Sequence, residues 1–491
     1  MIQNTKRIEM LAHGKIAPTL FTLAAPAIAG MVVMAIYNIV DTFFVSLLRD
    51  TTAIAATGIV FPMFQLIGAV GLTFGIGAAS VISRKLGEKN YDAAQEAAAT
   101  ALYSALVVGI IFSIVGMVFI RPVLLLFGAT DSILESATLY GRVIIGGAAF
   151  VVVNMTVNNL LRAEGASLYS SMGQISGAVL NIVLDPIFIF VLDMGITGAA
   201  VATVISQGFS TLVLLSFYAR RRGMLTPLNL AYFRLRWETY RALMTLGVPT
   251  FVRQILGSIS FGILNNAAGA YGDSAIAALS VTLRLFMLLA MGLMGFAQGL
   301  QPLAGYSYGA QAYDRLRHAM RLSFGVTTAV GIAAGLVAFI FAQPIMYFFA
   351  PQDPVVVSMG TIALRLIAVS LVPVGLVIMF GGVFQALGDG RSALLLAAGQ
   401  QGLFLIPLVL ILPRFFGVAG VFAAQPAGFV LAFFVGLALF RRVHRSIELR
   451  QAAADRHPSA SGTTPAAHGA PPATPTESAT AASHTSQVSG R

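Results

Sequence analysis

Two aspartates sit where charge is least expected. Of 19 acidic residues, 17 fall in connections, at helix ends or in the polar tail. Asp41, in AIYNIVDTFFV, and Asp185, in NIVLDPIFIF, lie inside long apolar runs. A charged aspartate at mid-helix in a bilayer costs ~2.5 to 3.5 kcal/mol on insertion scales, so such a residue is expected to face a cavity and to work there. Tyr37 stands one turn before Asp41 and Asn181 one turn before Asp185, so each acid shares a helix face with a hydrogen-bonding partner. Thr203, six residues into the next apolar run, falls in the same layer. With a rise of ~1.5 Å per residue, both acids lie roughly 12 Å below the outer ends of their helices. If those helices are neighbours, Tyr37, Asp41, Asn181, Asp185 and Thr203 form one cluster. Two carboxylates kept together away from water are not both charged cheaply. The chemistry expected is therefore reversible proton binding, loaded from an acidic outside and released inside. The same carboxylate, amide and hydroxyl oxygens are hard-cation ligands, which leaves sodium as the alternative occupant. The plainer reading of Asp185 is that it satisfies backbone freed by Pro186.

The elements that position these groups follow from composition. The chain is 57% hydrophobic and 10% charged, with mean hydropathy +0.85, whereas a soluble domain carries about 25% charged residues. An all-α polytopic membrane protein is expected, because spans of ~20 apolar residues must satisfy their own backbone in lipid. Alternating ten-residue segments, the sign of a barrel, are missing. Helices are placed near 16–48, 53–83, 95–119, 133–161, 168–192 and 197–218, then near 242–271, 275–305, 319–342, 355–386, 392–412 and 418–440. With both termini inside, 23 of the 30 Lys and Arg fall on the inner side, three on the outer side and four within spans, as the positive-inside rule requires. That topology, and not nucleic acid, accounts for the net charge of +11.

A repeat at a shift of about 222 residues divides the twelve spans into six and six. TTAIAATGIVFPMFQLIGAVGLTFG overlays DSAIAALSVTLRLFMLLAMGLMGFA, and GEKNYDAAQ overlays GAQAYDRLR. Even numbers of spans make the halves related by a pseudo-two-fold axis along the membrane normal, with a cavity between them, as in secondary transporters. The organisation expected is a cytoplasmic N-terminus (1–15), a first lobe (16–218), a basic linker (219–241) read as a cytoplasmic surface helix, a second lobe (242–440) and a disordered cytoplasmic tail (441–491). No signal-peptide pattern precedes the first span.

Further candidates lie around this cluster. Pro26, inside the first apolar run, removes a hydrogen bond and permits a kink, which suits a gate or a static bend. Met31, Met34 and Asn38 on the same helix are candidate cavity residues. Four arginines lie within spans: Arg142 and Arg365 correspond under the repeat and suggest a scaffold role, while Arg253 and Arg284, with Gln254, Gln298 and Gln301, are candidate cavity residues of the second half. The chain has no cysteine, which excludes disulfides and thiolate chemistry. Its six histidines lie at helix ends or in the tail, and no P-loop is present, so neither an enzyme nor nucleotide-driven transport is indicated.

The chain resembles the multidrug and toxic compound extrusion (MATE) transporters over residues 10 to about 445. AAPAIAGMVVMAIYNIVDTFFV, NLLRAEG and NIVLDPIFIFVLDMGITGAAVAT carry the likeness. The resemblance implies a V-shaped pair of six-helix lobes, cation-coupled antiport, and cationic or amphiphilic drugs as substrates. Pro26 and the polar cluster are similar to the DinF-like branch, in which these positions form a protonation-sensitive network. The NorM-like branch carries acids in spans 7 and 10, where this chain has Arg253, Gln254 and Arg365.

The function expected is proton-coupled export of organic cations or amphiphiles by alternating access. Sodium-coupled export and a flippase for lipid-linked or anionic substrates are the alternatives. No cofactor and no nucleic-acid partner are expected; the partners are small organic cations or amphiphiles and the lipid bilayer. A monomer in a bacterial cytoplasmic membrane is expected.

Overall fold

The computed structural model describes residues 2–48, 51–220 and 225–456. Two units are distinguished, Met1–Arg445 and Ser446–Arg491. Within the described residues the chain is helical, without strands.

A short helix, α1 (Ile2–His13), precedes the first lobe. That lobe comprises α2 (Ile16–Ser46), α3 (Thr51–Gly87), α4 (Tyr91–Val118), a short α5 (Ile120–Leu126), the pair α6 (Asp131–Gly146) and α7 (Ala148–Ala163), α8 (Ser167–Pro186) with a π-helical turn at Ile187–Val191, and α9 (Gly195–Ala219). The second comprises α10 (Trp237–Gly269), α11 (Asp273–Gly309), α12 (Tyr313–Ile340), a short α13 (Ala342–Phe349) and α14 (Pro354–Leu387). It ends with α15 (Gly390–Ala398), which passes through a π-helical turn at Gly399–Phe404 into α16 (Leu405–Phe416), and with α17 (Val418–Arg456). Eleven helical spans are long and apolar enough to cross a membrane, and the pair α6 and α7, bent by 46°, makes the twelfth. The bend falls at Gly147, where an added Cβ would lie 2.5 Å from Cγ2 of Val204, so α9 packs directly into the elbow.

Two expected features differ. The linker is no surface helix: Leu225 to Arg236 contain one 3-10 turn, Leu230–Tyr232, before α10 begins. Pro227 disfavours helix at Thr226, and the amides of Leu225 and Thr226 donate instead to Glu164, at 2.8 and 3.2 Å. Tyr103 on α4 further pins this strap by donating to the carbonyl of Leu228 at 3.2 Å. The last helix runs to Arg456, past the expected boundary at 440, because RRVHRSIELRQAAADR is rich in helix formers. The remaining tail, from 457, lies outside the described residues. At the other terminus, α1 is held by Arg315 of α12, which donates to the carbonyls of Met10 (3.1 Å), Leu11 (2.8 Å) and Gly14 (2.6 Å). These carbonyls lie at the end of α1, where intrahelical donors run out. Arg7 of α1 stacks 5.1 Å from the ring of Tyr169 on α8, so α1 touches both lobes.

The lobes meet through a symmetric pair of contacts: α3 packs on α10 as α11 packs on α2, and α3 crosses α11 between them. At that crossing a Cβ on Gly87 would collide with the backbone of Tyr306, and one on Gly309 with the backbone of Arg84. The repeat shift maps 87 onto 309 and 84 onto 306, so the crossing lies on the pseudo-two-fold axis. One step outward, Gly299 would place a Cβ 2.5 Å from Cα of Ala24. These approaches use the N-terminal halves of α2 and α10 and the C-terminal halves of α3 and α11. The lobes therefore join at the end of the bundle that carries the N-terminus, and the opposite half of α2, with Asp41, stands away from this seam.

Replacing Gly299 by leucine will hold the seam apart, since overpacking costs ~1 to 3 kcal/mol and each 1.4 kcal/mol is about tenfold in population. Ser83, 1% exposed, abuts Gly305 across the same seam. In the cysteine-free chain, maleimide labelling of Ser83→Cys should accelerate roughly tenfold when Gly299→Leu is added. An unchanged rate would show that this contact does not close the seam.

Candidate functional site

The acid pair is assembled by three packed helices. α2 lies against α8, α8 against α9, and the far half of α2 also reaches α9. Asp185 ends α8 just before Pro186, and the wider π-helical turn that follows accommodates the proline without ending the span. Asp185 is fully buried and Asn181 is 1% exposed. Thr203 and Tyr37 are buried and Asp41 half-buried. The carboxylates of Asp41 and Asp185 lie beside each other. Asn181 Nδ2 donates to Thr203 Oγ1 at 3.5 Å, and the Tyr37 hydroxyl lies beside that threonine. All five residues that the sequence groups are thus in one cluster.

The cluster is short of donors. Neither oxygen of Asp185, nor Oδ1 of Asn181, accepts a hydrogen bond from the described residues. An ionised carboxylate only accepts, so two facing ones repel and leave their inner oxygens unsatisfied. A proton held between them supplies the missing donor and removes the repulsion. A hard cation bound by the same oxygens is the alternative solution.

Below the acids lies a cavity large enough for a water molecule, lined by Met34, Tyr37, Asn154, Gln174, Ser206 and Ser210 among others. The hydroxyl of Ser206 is buried without a partner, which suits a wet chamber. Sequence reasoning missed most of this lining, together with Tyr140 of α6, which flanks both acids. A usable signal was present: Asn154, Asn158 and Arg162 recur every fourth position of α7 and form one polar stripe. Asn154 donates to Ser210 Oγ at 2.8 Å and to Thr211 at 3.2 Å. Arg162 donates to Asn158, and also to Asn159 at 2.9 Å and Ser170 at 3.2 Å.

The other candidates scatter. Met34 lines the cavity and Met31 is half-buried. Asn38 is exposed and its amide folds back to the carbonyl of Met34 at 2.7 Å, so it does not join the cluster. Pro26 lies within an unbroken α2, its carbonyl accepting from Ser171 Oγ at 2.5 Å. Arg253, Gln254 and Gln298 are half-buried in the second lobe, whereas Arg284 is exposed. Arg142 is exposed, as is Arg365, whose guanidinium stacks 5.5 Å from the ring of Phe339.

A second buried acid closes the first lobe at the seam end. Glu164, just past α7, is fully buried. It accepts from the Thr226 hydroxyl, from the amides of Leu225 and Thr226, and from Tyr218 at 3.3 Å. Burial nevertheless outweighs these donors and lifts its pKa to about 7. A carboxyl raised above its unfolded value binds more protons when folded, so its contribution to stability falls as pH rises from about 4.5 to about 7 and is level beyond. Melting temperatures in detergent, taken for wild type and Glu164→Gln, should lie close together near pH 5, where Glu164 is protonated, and separate toward pH 8. The expected result is a downward slope with pH in wild type that the glutamine variant lacks; parallel curves would remove Glu164 as its source.

Comparison with known proteins agrees with this architecture. The sequence profile of the MatE family matches residues 26–187 and again 249–411, one copy in each lobe. The chain is 28% identical over 398 residues to the multidrug export protein MepA of Staphylococcus saprophyticus, covering 81% of this chain and 87% of that one. It is 30% identical over 399 residues to MepA of Staphylococcus aureus strain MSSA476, with the same coverage of 81% and 87%. Among solved structures, a multidrug resistance MATE family transporter of the MOP superfamily in an outward-facing conformation superposes with a TM-score of 0.85 at 28% identity, over 89% of this chain and 98% of that one. The duplicated profile covers most of both lobes, and these relatives are transporters and not enzymes; the chain belongs to the MatE family.

Proposed function

We propose that this chain is a proton-coupled antiporter that exports organic cations and amphiphilic drugs by alternating access. Asp41 and Asp185 are its proton site, with Tyr37, Asn181 and Thr203 as their hydrogen-bonding shell. The observation that carries the reading is the facing pair of carboxylates with no donor between them, on helices of a multidrug-exporter fold. Lys and Arg placement supports cytoplasmic termini in a bacterial inner membrane. On that orientation the seam between the lobes is cytoplasmic and the acid pair opens outward. A proton taken from outside neutralises the pair and lets α2 settle on α8; its release inside restores the repulsion. Pro26 lies where α2 passes from the acid layer to the seam, which suits a gate. The polar cluster favours the DinF-like branch. A monomer suffices, since both lobes belong to one chain.

Sodium coupling is the second reading, favoured by the oxygens of Asp185 and Asn181 that lack donors and match hard-cation chemistry. Proteoliposomes with an imposed proton gradient should accumulate a fluorescent organic cation, and Asp41→Asn or Asp185→Asn should abolish that uptake. Undiminished transport by both variants would reject the mechanism. Uptake that follows an imposed sodium gradient at constant pH would move the coupling ion to sodium.

A further inference from the structure

The second lobe holds a cation with nothing to answer it. Arg253, midway along α10, is half-buried and makes no hydrogen bond or ion pair with the described residues. Its helix face is fixed by its neighbours: Thr250, Gly257, Ser260 and Leu264 stand three, four, seven and eleven positions away, which is one stripe of a helix. Thr250 and Ser260 are each 1% exposed and Leu264 is 2% exposed. Thr250 accepts from Gln385 of α14 at 3.4 Å, Ser260 donates to the carbonyl of Gln401, and a Cβ on Gly257 would lie 3.8 Å from the Gln401 side chain. Arg253 is thereby directed into the lobe between α14 and the π-helical turn, among neutral amides. Glu238, the acid on its own helix, lies roughly 22 Å away along the helix axis.

The first lobe has no counterpart. Aligning Pro26 with Pro249 places Arg253 opposite Gly30, where a Cβ would already lie 2.7 Å from Gln174 Oε1. One lobe thus carries paired acids, and the other carries in-span arginines of which Arg284 and Arg365 are exposed and Arg253 is half-buried. A buried charge without a partner is costly, and Arg253 is only half-buried, so part of its guanidinium is left for a solute to meet. We infer that Arg253 receives the anionic group of an amphiphilic cargo, a carboxylate or phosphate bound through the guanidinium fork, with Gln385 and Gln401 as its neutral neighbours. This rests on the export reading and narrows its substrates: a zwitterion offers its amine to the acidic lobe and its anion to the basic one.

The test uses full-length protein in proteoliposomes with two probes, a fluorescent aminoquinolone carboxylate and its methyl ester, which differ only in the anionic group. Wild type should show the lower KM for the acid. Arg253→Gln should shift the acid-to-ester KM ratio roughly tenfold toward the ester, as expected for loss of a charge-assisted bond, and Arg253→Lys should recover part of the preference. A third arm follows translocation of fluorescent phosphatidylglycerol. If this depends on Arg253 while the acid-to-ester ratio does not, the anion is a lipid phosphate. No dependence on Arg253 in either arm overturns the inference. Failure of the export reading looks different: the ester itself would then not be moved by a proton or sodium gradient.

Discussion

The close approach of Asp41 and Asp185 is the constraint around which the first lobe is arranged. Fixing two carboxylates side by side in a span requires that α2, α8 and α9 pack at one depth and that every neighbouring group be able to donate, as Tyr37, Asn181 and Thr203 can. It also requires room for a proton, a cation or water, which the cavity beneath provides. A lobe optimised for stability alone would place apolar residues there, because a buried ion pair or acid pair rarely outperforms good packing. On the proposed proton reading, repulsion that a proton can switch is a usable difference between two states, which offsets that cost.

Duplication supplied the frame and not the chemistry. The Gly87 and Gly309 crossing and the matched packing of α3 on α10 and α11 on α2 obey the two-fold relation. Under the repeat shift, however, Asp41 and Asp185 fall on Ile263 and Pro407. The lobes are alike at the seam where they pack on each other and unlike at the depth of the acid pair.

The parts of this arrangement that were legible in sequence are those set by short-range rules. Twelve spans followed from apolar length, their pairing from the repeat, the common depth of Asp41 and Asp185 from helical rise, and the partners Tyr37 and Asn181 from i, i+4 spacing. Which helices touch is a long-range property, so adjacency of α2, α8 and α9 had to be assumed. Tyr140 was invisible for the same reason: it reaches the acids from α6, and nothing in its local sequence marks it. The linker misled because its basic, aromatic composition suits a surface helix, while Pro227 and the capture of two amides by Glu164 dictate an extended strap. Asn38 misled because it is polar and beside the site, yet its amide is satisfied on its own helix. The elbow at Gly147 was hidden in a run whose hydropathy is uniform.

In the proposed cycle, α2 is what joins charge to movement. Asp41 is fifteen residues from Pro26, roughly 22 Å along the helix, and Ser171 of α8 binds the Pro26 carbonyl at 2.5 Å. Ala24 and Ile28, on either side of that anchor, are the residues that Gly299 and Gly295 approach from the second lobe. A helix held at Pro26 and pushed at Asp41 behaves as a lever whose short arm lies in the seam. Proline suits the pivot because the hydrogen bond it lacks cannot resist bending. A tight seam converts a small tilt into loss of contact, since close-packed backbones do not deform gradually. The acids need no direct contact with the second lobe; sharing one helix with the seam is sufficient.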